Sequence, residues 1–205
     1  MFALTLTSVV PIRADLLQIQ QLVTDNEDQL RQRNRDHRFL RRVQIAFEMA
    51  ETDSELFAIT GFAMRDAADH PGEILVADSS NAHLERLVTT TGHDAPGCSV
   101  TTPRNCPAVR CGQTMRFPKA NDLDACPRLR ERGLPDSHAS VCIPVNVLGT
   151  PSAVLHSGRD STGVTTEELE ANVTELEGVA VRFGARLGMM RAMSQSQLQG
   201  PTPIR

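Results

Sequence analysis

The 205-residue chain contains no tryptophan and no tyrosine, and its 7 phenylalanines supply its aromatic content. Proteins that bind single-stranded nucleic acid by stacking need interleaved aromatic side chains, so this class is not indicated. The formal net charge of −4 gives no general attraction to nucleic acid or to an anionic membrane. No segment approaches the roughly 20 apolar residues of a membrane-spanning helix. The apolar start, residues 1–11, lacks the basic residue and the cleavage site of a signal peptide. We therefore expect a cytoplasmic protein with no nucleic-acid or membrane partner.

Cysteine, by contrast, is concentrated in the middle of the chain. Two of the cysteines precede a proline, and an odd number argues against a complete disulfide framework. In the cytoplasm the thiols would be reduced by default. Clustered thiols ligate a metal or cluster, respond to redox state, or pack as small apolar side chains, and the spacing does not choose among these. The five are Cys98, Cys106, Cys111, Cys126 and Cys142.

The N-terminal part has a helical pattern. Residues 13–50 carry an interrupted apolar stripe at helical spacing, and we expect residues 1–12 to be flexible. Residues 31–38 are wholly polar, and we interpret them as a solvated stretch between two helical halves rather than a nucleic-acid patch. A second helix is predicted to begin at Asp53-Ser54-Glu55 and to stop at His70-Pro71-Gly72.

Strands and a loop-rich segment follow. Strands are predicted at 73–77 and 83–89, then an insert at 91–137 with helical turns after Pro103 and around 124–132 and a short strand at 113–117. A hairpin is predicted from strands 139–147 and 152–156. Alternation assigns the faces of its first strand. The side that should pack on helices carries Val141, Ile143, Val145 and Val147. The side that should face the insert carries His138, Ser140 and Cys142.

The C-terminal pattern is a helix with a heptad seam. Threonines and acids at 165–168 are typical of a helix start, and apolar residues then recur at spacings of 4 and 3 as far as Met190. We expect the first half to pack on its own domain and the rest, running to about Leu198, to pair with its copy in a homodimer. Residues 199–205 are expected to form a tail. The residues predicted for the dimer helix are Leu176, Ala180, Phe183, Leu187 and Met190.

Four segments carry a resemblance to a known family. They are Cys106-Pro-Ala-Val-Arg-Cys-Gly-Gln, Ala125-Cys-Pro-Arg-Leu-Arg, the strand from Ala139 to Gly149, and Ala153-Val-Leu-His-Ser-Gly. Over residues 40–198 the chain resembles the GAF domains that precede GGDEF diguanylate cyclase domains in bacterial signalling proteins. The segment Gly184-Ala-Arg-Leu-Gly-Met-Met-Arg-Ala-Met, with Gln197-Leu-Gln after it, resembles their helix leading into the cyclase. The resemblance implies an α+β fold with a central antiparallel sheet, helices on one face, pocket loops on the other, and long N- and C-terminal signalling helices. No GGDEF signature occurs, so the chain itself is not expected to be an enzyme.

The resemblance also implies a pocket. Cys106 and Cys126 from the insert would converge there on Cys142, with Ser140 and His138 beside it. Three thiolates with a fourth ligand, His138 or Cys111, would suit zinc or an iron–sulfur cluster, and a Cys-Pro thiolate would suit haem.

The expected function is therefore a sensor of a small ligand, redox state or gas. It would act through a dimeric helix on an output such as a diguanylate cyclase. Two alternatives stay open. One is a module that binds a cyclic nucleotide or another small molecule. The other is a thiol oxidoreductase that reduces methionine sulfoxide, as some small GAF proteins do.

Overall fold

The computed structural model describes residues 9–68, 70–90, 97–160 and 166–198, with side chains described over 17–68, 70–90, 97–159 and 172–196. The chain divides into two compact units, residues 1–41 and residues 42–205. The predicted tail, 199–205, and residues 1–8 of the segment expected to be flexible lie outside the described residues. Residues 9–12 of that segment form the first turn of a helix.

The first unit consists of most of helix α1, Val9–Met49. The prediction of two helical halves is wrong, because the helix continues through the polar segment. Local pairs at helical spacing support it there. Arg31 bonds to Glu27, and Gln32 donates to Asp36 at 2.7 Å. Pairs three or four residues apart each stabilise a helix modestly, so polarity alone does not end one.

The second unit begins with the end of α1, where Val43 and Phe47 are buried. Helix α2, Asp53–Ala67, follows, and its N-cap is Thr52 rather than the predicted Asp53-Ser54-Glu55 group. The Thr52 hydroxyl accepts from the Glu55 amide at 3.2 Å, and the Glu55 carboxylate accepts from the Thr52 amide. This reciprocal capping box satisfies two backbone donors that a helix start otherwise leaves unpaired.

Five antiparallel strands form one sheet in the order β2-β1-β5-β4-β3. Every predicted strand is present within a few residues, and the last is longer than predicted. The strands are β1 Gly72–Ala77, β2 Leu84–Thr89, β3 Met115–Phe117, β4 His138–Val147 and β5 Thr150–Asp160. The insert between β2 and β4 also contains a 3₁₀ turn at Pro103–Asn105 and the short helices α3, Pro107–Cys111, and α4, Pro127–Arg130.

Helix α5, Thr166–Leu198, packs on β4 and on α2. Its heptad seam is therefore an intramolecular core: Leu176, Ala180, Phe183 and Leu187 are buried against the chain's own sheet and helices, and Met190 is half-buried. The prediction that this seam forms the dimer interface is wrong, since a heptad pattern specifies an apolar face and not which surface covers it.

Close backbone approach explains a glycine beside that seam. A Cβ at Gly184 would collide with the carbonyl oxygen of Asn146 and lie 2.9 Å from the Val145 side chain. Helix α5 therefore rests directly on the end of β4, as the predicted faces require. No helix in the described part of the chain combines the length and apolar character needed to cross a membrane.

Candidate functional site

One row of side chains crosses the sheet on the face opposite α5. The register pairs Glu73 of β1 with His156 of β5, His156 with Cys142 of β4, and Cys142 with Met115 of β3. Residues paired directly across antiparallel strands project to the same face, so these four side chains share it. A carboxyl, an imidazole and a thiol are thereby aligned on adjacent strands.

A register shift in the hairpin sets this row. Val147 pairs with Thr150 and Asn146 with Pro151, but Val145 pairs with Ala153, so β5 carries one extra residue at this point. Without the shift, Leu155 would stand opposite Cys142. A β-bulge re-aims every side chain beyond it, and here it places His156 beside Cys142.

The insert covers this face with an apolar layer. One buried cluster is formed by residues of the sheet, of both short helices and of the segments that flank the 3₁₀ turn. Three of the cysteines belong to it. Helices α3 and α4 each begin at a proline directly after a cysteine, and proline suits a first helical position. The cluster comprises Leu75, Val100, Cys106, Ala108, Val109, Phe117, Ala120, Ala125, Cys126, Leu129, Cys142 and Val154.

All five cysteines are free thiols, but they are not equivalent. Cys106, Cys126 and Cys142 are buried, Cys98 is half-buried against the cluster, and Cys111 is exposed. The predicted convergence of the insert cysteines on Cys142 is therefore present in the packing. The predicted participation of Cys111 is not supported, since its side chain lies at the surface.

A small cavity lies between the insert and this face of the sheet. Its volume is about 20 Å³, which is room for about one water. Ser99 at one side is exposed and the Arg128 side chain is 43% exposed, whereas Ser140 is fully buried, so the cavity runs inward from the surface. It is lined by Cys98, Ser99, Phe117, Cys126, Arg128, Leu129, Arg132, Ser140, Cys142 and His156.

Some of the predicted pocket residues line the cavity and others do not. Cys126, Cys142 and Ser140 line the cavity, whereas Cys106 lies in the surrounding apolar cluster. His138 is buried at the start of β4 and is not among the lining residues. His156, which was not predicted as a pocket residue, lines the cavity beside Cys142.

Cys142 and His156 form a buried pair, with 3.3 Å between Sγ and Nδ1. Burial raises the pKa of the Cys142 thiol well above its ordinary value, and the nearby cysteines would raise it further. Burial, together with the charge of Arg132, lowers the pKa of His156 to about 3. Both groups are therefore neutral near pH 7, and the pair is not the thiolate–imidazolium pair of an activated nucleophile.

Two other thiols near the cavity, those of Cys98 and Cys106, are also held protonated. Burial raises the pKa of Cys98 to about 12 and raises that of Cys106. Among the described residues, which include every cysteine and His138, no group of three or more Cys, His, Asp or Glu side chains is placed to hold a metal ion. The arrangement does not fit the zinc or iron–sulfur site expected from the sequence, and a cavity with room for about one water does not fit a haem.

Two buried polar atoms at the inner end of the cavity have no hydrogen-bond partner within the described structure, Ser140 Oγ and His156 Nε2. Ser140 is fully buried and His156 is 4% exposed. Leaving a buried polar group unsatisfied costs about 1–3 kcal/mol. Such atoms beside a cavity are the expected mark of a site that a water or a ligand completes.

Glu73 fixes the start of the insert beside this site. Its carboxylate accepts a hydrogen bond from the backbone amide of Cys98 and forms an ion pair with Arg86. Arg86 in turn donates to the Cys98 carbonyl at 3.2 Å. Burial raises the Glu73 pKa, and the Cys98 amide and Arg86 act in the opposite direction. These contacts join the insert to β1 and β2 at one edge of the cavity.

The fold is shared with many solved structures. A GAF domain of a phosphoenolpyruvate-protein phosphotransferase from Coxiella burnetii superposes with a TM-score of 0.60 at 13% identity, covering 78% of this chain and 96% of that one. A domain of a putative two-component sensor histidine kinase from Sinorhizobium meliloti 1021 gives 0.51 at 13% identity, covering 72% and 99%. Free methionine-R-sulfoxide reductase from Neisseria meningitidis, solved with its substrate, gives 0.55 at 14% identity, covering 77% and 91%.

No family model matches the sequence, and no curated protein matches it. Identities near 14% show similarity of fold alone, because one fold supports unrelated activities. The superpositions support a common fold, an antiparallel sheet with helices. The second unit of this chain has the GAF-domain fold.

Proposed function

We propose that the chain is a sensory GAF module that binds a small ligand in the cavity beneath the insert and passes the change to helix α5. The observation that carries the proposal is the pair of buried, unsatisfied polar atoms, Ser140 Oγ and His156 Nε2, beside a cavity that reaches the surface. A core that only stabilised the fold would gain by replacing these groups with apolar ones.

The path to α5 runs through a single strand. On one face of β4, Ser140 and Cys142 line the cavity, and on the other face Val145 contacts α5 at Gly184. Tightly packed surfaces respond to a shift by moving together, since interiors hold few voids. A ligand that displaces β4 by a few tenths of an ångström therefore changes the seating of α5, and its differential affinity for the two arrangements sets the size of the response.

A thiol oxidoreductase is the competing function. The neighbour from Neisseria meningitidis is a free methionine-R-sulfoxide reductase, and cysteines line the cavity of this chain. A reductase needs a thiol that ionises readily, whereas burial raises the pKa values of Cys98, Cys106 and Cys142. The protonated, buried thiols favour the binding module, and we propose that the chain is not an enzyme.

The output is part of the same proposal. The resemblance to GAF domains that precede diguanylate cyclases, and the sensor-kinase neighbour, support a signalling role in the cytoplasm. We propose a homodimer whose contact is on the outer side of α5, where Val181, Met189 and Met193 are exposed, rather than on the buried seam. A diguanylate cyclase is the proposed output partner.

Backbone amide NMR with a panel of small neutral, anionic and cationic solutes tests ligand binding. At least one solute should shift the amides of residues 126–132 and 140–142 in a saturable way, together with amides of α5 near Gly184. Cys126→Met, which fills the cavity, should abolish the shifts. Cys111→Ser, at an exposed thiol outside the cavity, should leave them unchanged.

A panel without any saturable shift at these residues would contradict the proposal. A turnover assay with methionine sulfoxide and a thiol reductant separates the competing function. Activity that disappears in Cys142→Ser and persists in Cys111→Ser would favour the oxidoreductase instead.

A further inference from the structure

We infer that the ligand of this cavity presents a carboxylate or a similarly small oxyanion, held at the buried end by Ser140, His156 and Arg132. The inference rests on the proposed function and specifies the chemistry of its ligand. It follows from the hydrogen-bonding roles left open in the cavity and from the charges that surround it.

The proton arrangement makes His156 a donor toward the ligand. Cys142 keeps its proton, and an imidazole nitrogen accepts hydrogen bonds far better than a thiol sulfur, so Sγ–H donates to Nδ1 across 3.3 Å. A neutral imidazole that accepts at Nδ1 carries its hydrogen on Nε2. The unsatisfied Nε2 is then an N–H donor, and the Ser140 hydroxyl beside the same cavity is a second group able to donate.

The charged side chains of the cavity are positive. Of the residues that line it within the described structure, Arg128 and Arg132 are charged and none is acidic. Arg128 pairs with Glu131 at 2.8 Å, whereas the Arg132 side chain has no hydrogen bond or ion pair among the described residues. Arg132 also acts at the buried end, since its charge contributes to lowering the His156 pKa.

None of the described residues that line the cavity is acidic, so none offers a negative charge to a cationic ligand. The acidic group on this face of the sheet is Glu73, and its two oxygens are engaged by the Cys98 amide and by Arg86. The available groups are thus donors and one guanidinium. Guanidinium groups match carboxylates and other oxyanions in geometry and in charge.

The cavity limits the size of what is bound deeply. A volume of about 20 Å³ admits little more than one water with the insert in its present position. A compact head group therefore occupies the inner end, with a modest outward movement of the insert, and the rest of a larger ligand extends toward Ser99 and Arg128 at the surface.

Three probes of similar size separate the possible chemistries: acetate, acetamide and methylammonium, titrated at constant ionic strength with amide NMR as the readout. Acetate should shift residues 126–132 and 140–142 in a saturable way and bind at least tenfold more tightly than acetamide. Methylammonium should not bind. Arg132→Gln should weaken acetate tenfold or more, and Arg130→Gln, an exposed arginine of α4 that does not line the cavity, should change it less than twofold.

Ser140→Ala supplies a second variant and should weaken acetate severalfold. If it does not fold, Arg132→Gln decides, because Arg132 is only half-buried. Acetamide binding as tightly as acetate, or acetate binding that is unaffected by Arg132→Gln, would overturn the inference and leave the ligand pocket intact. If neither acetate nor any solute of the wider panel shifts these residues, the inference and the proposed function both fail.

Discussion

The two faces of the sheet differ in what their side chains accomplish. Toward α5, strand β4 presents Val141 and Val145, both buried, and the helix approaches so closely that only glycine fits at 184. Toward the insert, the same strand presents Ser140 and Cys142 beside His156, around a cavity that leaves polar atoms unsatisfied. Apolar packing stabilises both faces, but the capacity to bind is on the second.

The helix face should therefore give the largest losses of stability. Leu187→Ala removes a fully buried side chain of α5 and should lower the free energy of unfolding by about 3 kcal/mol. Thr174→Ala, at an exposed position of the same helix, should lower it by less than about 0.5 kcal/mol. Urea denaturation measures both. Equal, small effects would mean that the heptad seam is not the core of the unit.

The next largest loss of stability is expected where α5 approaches β4 closely on the same face. Gly184→Ala forces a Cβ against the carbonyl oxygen of Asn146 and should cost about 2 kcal/mol, a typical overpacking penalty. Ala185→Ser is the matched control at an exposed position of the same helix and should be nearly neutral. A stable Gly184→Ala variant would show that α5 can separate from β4 without cost.

On the insert face, His156 should make the free energy of unfolding depend on pH. The His156 pKa is about 3 in the folded chain, below its ordinary value of 6.5, so between these values the unfolded chain holds a proton that the folded chain lacks. Stability then rises with pH and is lost as the pH falls from 6.5 toward 3, by up to about 1.4 kcal/mol per pH unit from this residue.

Carboxylates titrate over part of the same range, so the comparison must be matched. His156→Gln should have a shallower slope of unfolding free energy against pH between 5 and 6.5 than the unaltered chain. His83→Gln is the matched control, because it replaces a histidine that does not line the cavity. Identical slopes for His156→Gln and the unaltered chain would contradict a neutral, buried imidazole.

The smallest effect on stability is expected at Glu73, which holds the start of the insert beside β1 and β2. Glu73→Gln keeps the shape but removes the charge that pairs with Arg86, and should cost about 1 kcal/mol. Because Glu73 also accepts from the Cys98 amide, alkylation of Cys98 by iodoacetamide should become faster. Cys111, already exposed, should react at an unchanged rate, and mass spectrometry of both sites provides the measurement. No change at Cys98 would mean that Glu73 does not hold the insert.

The same comparison explains what the sequence could predict. Period-two alternation placed Val141 toward the helices and Cys142 toward the insert, because one buried face leaves a strand little freedom of register. The strands, the short helices of the insert and the α+β class were likewise predicted, since each has local signals in proline, threonine and apolar spacing.

The features that were not predicted have no signal in the sequence of their own segments. His156 stands opposite Cys142 only because of the extra residue in β5, and nothing in the hairpin's composition marks it. Counting back from the turn would have placed Leu155 there. Arg132 lines the cavity because a loop folds over the sheet, and Leu187 faces its own domain because that surface is available. Each outcome depends on tertiary packing rather than on the pattern of the segment itself.

The attachment of Cys98 to Glu73 has a consequence for how this protein can diversify. The insert is anchored at its first described residues by that contact, and at its far end it continues into β4, so both ends are positioned by the sheet. Residues between about 99 and 137 can then be exchanged with little effect on where α5 sits, provided that the strand pairing of β3 and the hydrogen bond from the Thr114 hydroxyl to Glu177 of α5 are kept. Segments grafted there would change the chemical preference of the module while its output surface stays the same.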